Sequence, residues 1–427
     1  MKQGIQLAIV SGINVCIAFL FQWYVLVHLG PGVETDALFA GMTIPMVVLS
    51  VVSGSLMHVL VPVLAGASEE RLRHDAWGFL VLVGGFFGGL ATLLYVTAHW
   101  WIPIIVPGFS DEAKDLTIKL TRIQLVGMVF GAINGVQWAS YHAREKFLWP
   151  EFTPMLSSVC GFILLIWLLP IYGVVAAAWI NTVRLGLQTL LLTPGMGKPV
   201  SPDLKSPAIA TAWQRIKPLL LGTAYYKTDP LIDRFLLSTI TSGSLSLYYF
   251  AQQIYGGALQ IINKAIAAPL VPLLSKLHKE GNNDEFRSAY YRRLLHVGVI
   301  SIFFILLLGF IGQNALDLLV GHGNVTANNV NDLWWIMIWL AGMFVGGASG
   351  TITSTSFYAA GDTVTPTRIS VVSYTVYIPC KVAAFYSLGV MGLAVVTSIY
   401  YMVDFLVQSY LLNKSNSVRI REELKSR

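Results

Sequence analysis

Long apolar runs alternate with short polar connections along the whole chain. The runs lie near 5–29, 37–65, 76–103, 116–141, 149–170, 173–194, 217–240, 244–275, 294–320, 332–359, 367–386 and 390–412. A helix rises about 1.5 Å per residue, so about twenty apolar residues span a hydrocarbon layer of roughly 30 Å. The pattern predicts an all-α polytopic membrane protein with about twelve transmembrane helices. The polar stretch 197–216, rich in Pro, Ser and Lys, is the longest connection and separates the spans into two sets. The expected organisation is a six-helix bundle over 1–196, a cytoplasmic linker over 197–216, a second six-helix bundle over 217–412 and a basic tail over 413–427.

Composition agrees with this reading. Only 12% of residues are charged and 55% are hydrophobic, whereas a soluble domain carries about 25% charged residues. The net charge of +6 therefore gives no ground for a nucleic-acid partner and reflects where the loops lie. Connections after even-numbered spans hold Arg71, Arg73, Arg144, Lys146, Lys198, Lys205, Arg215, Lys217, Lys276, Lys279, Arg287, Arg292 and Arg293, and the tail adds Lys414, Arg419, Arg421, Lys425 and Arg427. Connections after odd-numbered spans hold almost none. Basic loops stay inside, so both termini are expected in the cytoplasm of a bacterial inner membrane. The apolar run after Met1 reads as a first span rather than a cleavable signal. Cys16, Cys160 and Cys380 fall within apolar runs without metal-type spacing, so neither a metal site nor a disulfide is expected. No phosphate-binding loop or metal box is present, and no cofactor, direct ATP use or enzymatic activity is expected.

The two sets of spans resemble each other. Leu60-Val61-Pro62-Val63-Leu64 ends span two, and Leu270-Val271-Pro272-Leu273-Leu274 ends span eight. Thr153-Pro154 and Thr365-Pro366 open spans five and eleven, while Gly173 and Gly389 mark the short turns into spans six and twelve. A parallel repeat has a pseudo-twofold along the membrane normal, an arrangement of transporters that place substrate between the halves. A relic of duplication in a scaffold protein gives the same pattern.

Charges inside the apolar spans are the candidate chemistry, because each costs at least about 2.5–3.5 kcal/mol at the bilayer centre. Span seven carries Lys227, Asp229, Asp233 and Arg234, span eight Lys264, span six Arg184 and span eleven Lys381. Asp229 and Asp233 share one helix face, and Pro230 between them predicts a kink. Arg184, Lys227, Arg234 and Lys264 suit an anionic diphosphate, since cations form charge-assisted bonds to phosphate oxygens. Arg234, near the outer boundary, could instead snorkel to headgroups. Asp36 opens span two, as part of the binding set or as a helix cap. Gln252 and Gln253 suit sugar hydroxyls. Asp404 on span twelve occupies the position that matches Arg184 in the repeat, which suggests a pairing.

Several segments together resemble the MurJ/MviN lipid II flippases. They are Gly30-Pro31-Gly32-Val33-Glu34-Thr35-Asp36, Ile44-Pro45, Pro107-Gly108-Phe109, Leu231-Ile232-Asp233, the two Leu-Val-Pro motifs, Phe357 to Pro366, and Leu388 to Ala394 with Thr397. The resemblance covers nearly the whole chain, with the motifs in family order. It implies the MOP-superfamily, MATE-like fold and export of a polyprenyl-diphosphate-linked saccharide. The family's cavity arginines fall on Val15, Phe21, Leu49 and Gln253 here, a neighbouring acidic position on Gln252, and only Asp36 of that charged set is kept. The family's sodium-site positions on span eleven fall on Tyr377 and Lys381, which implies that the Lys381 ammonium replaces the ion and pairs with Asp229 or Asp233. That pair would couple or gate transport, with a proton as the possible coupling ion, or would be a static ion pair. The family's two further C-terminal helices have no counterpart after span twelve. These departures resemble the twelve-helix polysaccharide flippases. The expected function is a monomeric flippase for a lipid-linked oligosaccharide, in contact with membrane lipids and moving either lipid II or a polysaccharide repeat unit. A MATE-like exporter of small solutes or drugs, and a non-transporting envelope scaffold, are the alternatives.

Overall fold

A computed structural model describes residues 2–204 and 206–426; Lys205, Arg427 and the side chains of the basic tail beyond Lys414 lie outside the described residues. The described residues form thirteen α-helices: α1 (Lys2–Leu29), α2 (Val33–Leu64), α3 (Glu69–Ile105), α4 (Asp111–Ala143), α5 (Leu148–Tyr172), α6 (Val174–Leu192), α7 (Pro207–Ala224), α8 (Asp229–Leu237), α9 (Ser244–Ile262), α10 (Ala268–Lys279), α11 (Asn283–Val320), α12 (Ala327–Ala359) and α13 (Val364–Ser426). Among the described residues, 10 helical segments are long and apolar enough to cross a membrane. Two expected spans complete the set of about twelve. α13 is broken at Gly389 (φ 61, ψ −139), so its apolar part holds spans eleven and twelve. Span seven is interrupted, with α7 and α8 joined through a 3₁₀ turn at Tyr226–Thr228. Pro230 sits in the first turn of α8, where its missing N–H has no helical partner to lose. The predicted kink is therefore a break.

The chain divides into two compact units, Met1–Ser246 and Leu247–Arg427. The polar stretch 197–216 precedes this division because α7, α8 and the following turn pack with the first unit, α7 and α8 each against α2 and α3. In that unit α4 is the central helix, flanked by α2, α3 and α6. It buries Thr117, Thr121, Gln124, Asn134, Gln137 and Ser140. Several of these bond across helices. Gln124 Nε2 donates to the Leu38 carbonyl at 3.4 Å, Asn134 Nδ2 to that of Leu185 at 3.3 Å, and Gln137 Nε2 to that of Thr189 at 3.1 Å. Polar bonds of this kind hold helices together where lipid provides no hydrophobic drive between them.

The second unit is built on α12 against α13, with α11 behind α12. Its close packing depends on small residues. A Cβ on Gly346 would lie 2.5 Å from the Tyr401 carbonyl carbon, and one on Gly342 2.7 Å from Ser398 Cβ. The repeat read from sequence also has a backbone signature: Gly173 (φ 59, ψ −150) turns α5 into α6 as Gly389 turns the two halves of α13. Both sit where only glycine is comfortable.

Candidate functional site

Arg184 lies on α6, within the apolar span Val174–Met196. Asn181, one turn earlier, shares its face and accepts from Arg184 Nη2 at 3.0 Å, while Nη1 donates to Ser158 Oγ of α5 at 3.2 Å. Ser158 Oγ in turn donates to Asn14 Oδ1 of α1 at 3.2 Å, so one network joins α1, α5 and α6. Gly161 of α5 packs beside the arginine stem, where a Cβ would make ordinary contact with Arg184 carbons at 3.5–3.6 Å. The guanidinium borders a cavity of about 40 Å³, with Gln22, Ser158 and Asn181 as its polar walls and Phe21 on its apolar side. That is room for a few waters or one small anionic group. Among the described residues no carboxylate acts on Arg184, and the buried Gln22 Oε1 has no hydrogen-bond partner. The result is a fixed cation held by neutral groups beside a polar space.

Arg234 is arranged differently. It is 3% exposed, so its head lies inside the protein rather than reaching lipid headgroups. Its Nε donates to Thr43 Oγ1 of α2 at 3.1 Å. Asp36, 2% exposed, accepts from the Gly243 N–H at 2.6 Å and the Ser246 N–H at 2.8 Å. The carboxylate thus serves the turn into α9 rather than the first turn of α2, with a charge suited to a helix N-terminus. Arg234 acts on it electrostatically. Gly243 adopts φ 93 to present its N–H.

The other expected residues are placed singly. Lys227 is exposed on the 3₁₀ turn, Asp229 is half-buried, and Asp233 on α8 is 1% exposed. Gln252 and Gln253 are half-buried on α9. Lys264 is exposed in a π-helical turn, Asn263–Ala267, between α9 and α10. Such turns are uncommon and concentrate at functional sites; Pro269 just beyond was its sequence signal. Lys381 is fully buried on α13 with its Nζ 4.9 Å from the Tyr377 ring centroid. That ring stacks on Tyr400 at 4.4 Å, and its hydroxyl bonds Thr397 Oγ1 at 2.8 Å. Asp229 and Asp233 belong to the first compact unit and Lys381 to the second. Arg184 in the first unit and Asp404 in the second each have neutral partners, Asp404 in Ser370 and Gln408. Sequence reading missed the partners Asn181 and Ser158 and the cavity wall at Gln22. The i−3 spacing of Asn181 was a usable signal, whereas Ser158 and Gln22 come from other helices.

A multi-span all-helical chain with charges set inside its spans defines a polytopic membrane protein of transporter architecture. Solved structures share the fold. A lipid II flippase MurJ in an inward closed conformation superposes with a TM-score of 0.83 at 19% identity, over 96% of this chain and 87% of that one. An inward-facing multidrug resistance MATE transporter of the MOP superfamily gives 0.76 at 17% identity, over 96% and 98%. The family profile of the lipid II flippase MurJ matches residues 26–426, and the chain belongs to that family. A probable lipid II flippase MurJ of Vibrio cholerae is 24% identical over 93% of this chain and 80% of its own length.

Proposed function

We propose that this chain moves a polyprenyl-diphosphate-linked saccharide, lipid II or a polysaccharide repeat unit, from the inner to the outer leaflet by alternating access. The observation that carries the reading is Arg184, a cation in an apolar span that borders a polar cavity and, among the described residues, is held only by neutral groups. A charge kept there without a counter-ion is costly, and a diphosphate supplies the missing charge through bidentate, charge-assisted bonds. Membership of the flippase family supports the same cargo class. The lipid tail stays in the bilayer, so only the headgroup needs polar surroundings. Lys227 and Lys264, exposed on spans seven and eight, add anion contacts, and Gln252 and Gln253 meet sugar hydroxyls. Arg234 and Asp36 hold the approach in shape. Asp229, Asp233 and Lys381 are the intramembrane charges that couple or gate the transport step. The protein works as a monomer with both termini in the cytoplasm.

The test is leaflet accessibility of lipid-linked saccharides in cells depleted of the protein and complemented with native chain or Arg184→Gln. Depletion should trap a polyprenyl-linked saccharide on the inner leaflet. Native protein should release it, and the variant should slow release by about 10–100-fold, the loss of one charged hydrogen-bond pair of about 1.5–3 kcal/mol. Normal distribution of every such lipid after depletion would overturn the reading in favour of a solute exporter or a scaffold.

A further inference from the structure

The second unit contains an intramembrane carboxylate that the cargo reading does not use. Asp404 lies on the second half of α13, ten residues before Lys414, the next charged residue along the chain. Ten helical residues rise about 15 Å, which places the carboxylate well inside a layer of roughly 30 Å. Its Oδ2 accepts from Gln408 Nε2 at 2.7 Å, one turn further on. Its Oδ1 meets Ser370 Oγ, from the first half of α13, at 3.4 Å. Gln408 is 2% exposed, and its Oε1 accepts from Ser354 Oγ of α12 at 2.7 Å. One carboxylate thus ties spans ten, eleven and twelve through neutral groups.

The charged and titratable neighbours are few. From α12 the Tyr358 hydroxyl interacts electrostatically with Asp404. From α11 the Tyr290 hydroxyl bonds Thr353 and Ser409, the residue after Gln408. On the first half of α13, Arg368 acts on Asp362. Among the described residues no Lys, Arg or His acts on the Asp404 carboxylate. An ionised carboxylate at this depth without a cation is costly. Both of its bonds suit either protonation state. Ionised, Asp404 accepts from Ser370 and Gln408. Protonated on Oδ1, its O–H donates to Ser370 Oγ while Oδ2 still accepts from Gln408.

We infer that Asp404 is a proton-binding site of the C-terminal unit, with its bond to Ser370 reversing direction when the proton arrives or leaves. A metal cation suits the site less well, because Gln408 Oε1 is already committed to Ser354. No group of three metal-type side chains gathers among the described residues.

The site can be tested without cargo, so failure of the flippase reading would leave it standing. Infrared difference spectra of the purified full chain in lipid nanodiscs, taken between roughly pH 5 and 8, report the carbonyl stretch of a protonated carboxylic acid. The native chain should show a titrating band that Asp404→Asn abolishes and Asp404→Glu shifts, and that Asp229→Asn and Asp233→Asn leave in place. Asp404→Glu, which keeps the acid, guards against loss of fold as the cause. A native chain with no titrating band, or a band that survives Asp404→Asn, would overturn the inference.

Discussion

Arg184 and Arg234 are both arginines in apolar spans, and their neighbours give them opposite jobs. Arg234 is enclosed, bonded to Thr43 and close in charge to Asp36. Arg184 borders a cavity and, among the described residues, is held by Ser158 and Asn181. The first arrangement maintains structure, while the second leaves the guanidinium beside a polar cavity. Asp36 shows how much one enclosed side chain can organise, because it satisfies two backbone N–H groups at the start of α9. Asp36→Ala would leave both buried donors unpaired, and each such loss costs about 1–3 kcal/mol. A fall in the thermal midpoint of the purified protein in detergent, by several degrees, is the expected outcome. An unchanged midpoint would mean that water replaces the carboxylate.

Helices in this chain pack through small residues and interhelical polar bonds rather than through amphipathic stripes. α4 buries its polar side chains against α2 and α6, and α12 presents Gly342 and Gly346 to the last span. Lipid is as apolar as a leucine core, so close backbone approach has to replace hydrophobic drive. Gly346→Ala should therefore disturb α12 against α13. The new Cβ would sit 2.5 Å from Tyr401 backbone, which cannot yield as a side-chain tip can. Overpacking of this kind costs about 1–3 kcal/mol. The variant should show a lowered thermal midpoint or a loss of monodisperse protein, whereas Gly350→Ala, with only a 3.9 Å neighbour, should behave as native. The helix breaks follow equally local causes. Gly389 splits α13 with a backbone only glycine favours, and Pro230 opens α8 after the 3₁₀ turn.

For the whole molecule, the charge of the loops predicts the sidedness. Ala65, between α2 and α3, and His322, between α11 and α12, are both exposed and belong to loops of opposite basic content. In intact cells a membrane-impermeant thiol reagent should label His322→Cys and not Ala65→Cys. The reverse pattern would place the termini outside.

The membrane class, the spans, the repeat and the positions of the intramembrane charges were legible in the sequence. Each depends on composition or on spacing within a few turns of one helix. Length and hydropathy set the spans, and Gly173 and Gly389 announced the matching turns. The use of each charge was not legible. Thr43 meets Arg234 from 191 residues away, and Ser246 meets Asp36 from 210 away. The division after Ser246 rather than at the polar stretch has the same origin, because α8 and its turn pack on α2 and α3. Periodicity tells which face of a helix carries a charge; only the packing of distant helices decides whether that face meets a partner, a cavity or lipid. The tertiary structure alone therefore made Arg234 a brace, set Arg184 beside a polar cavity and tied Asp404 to three spans.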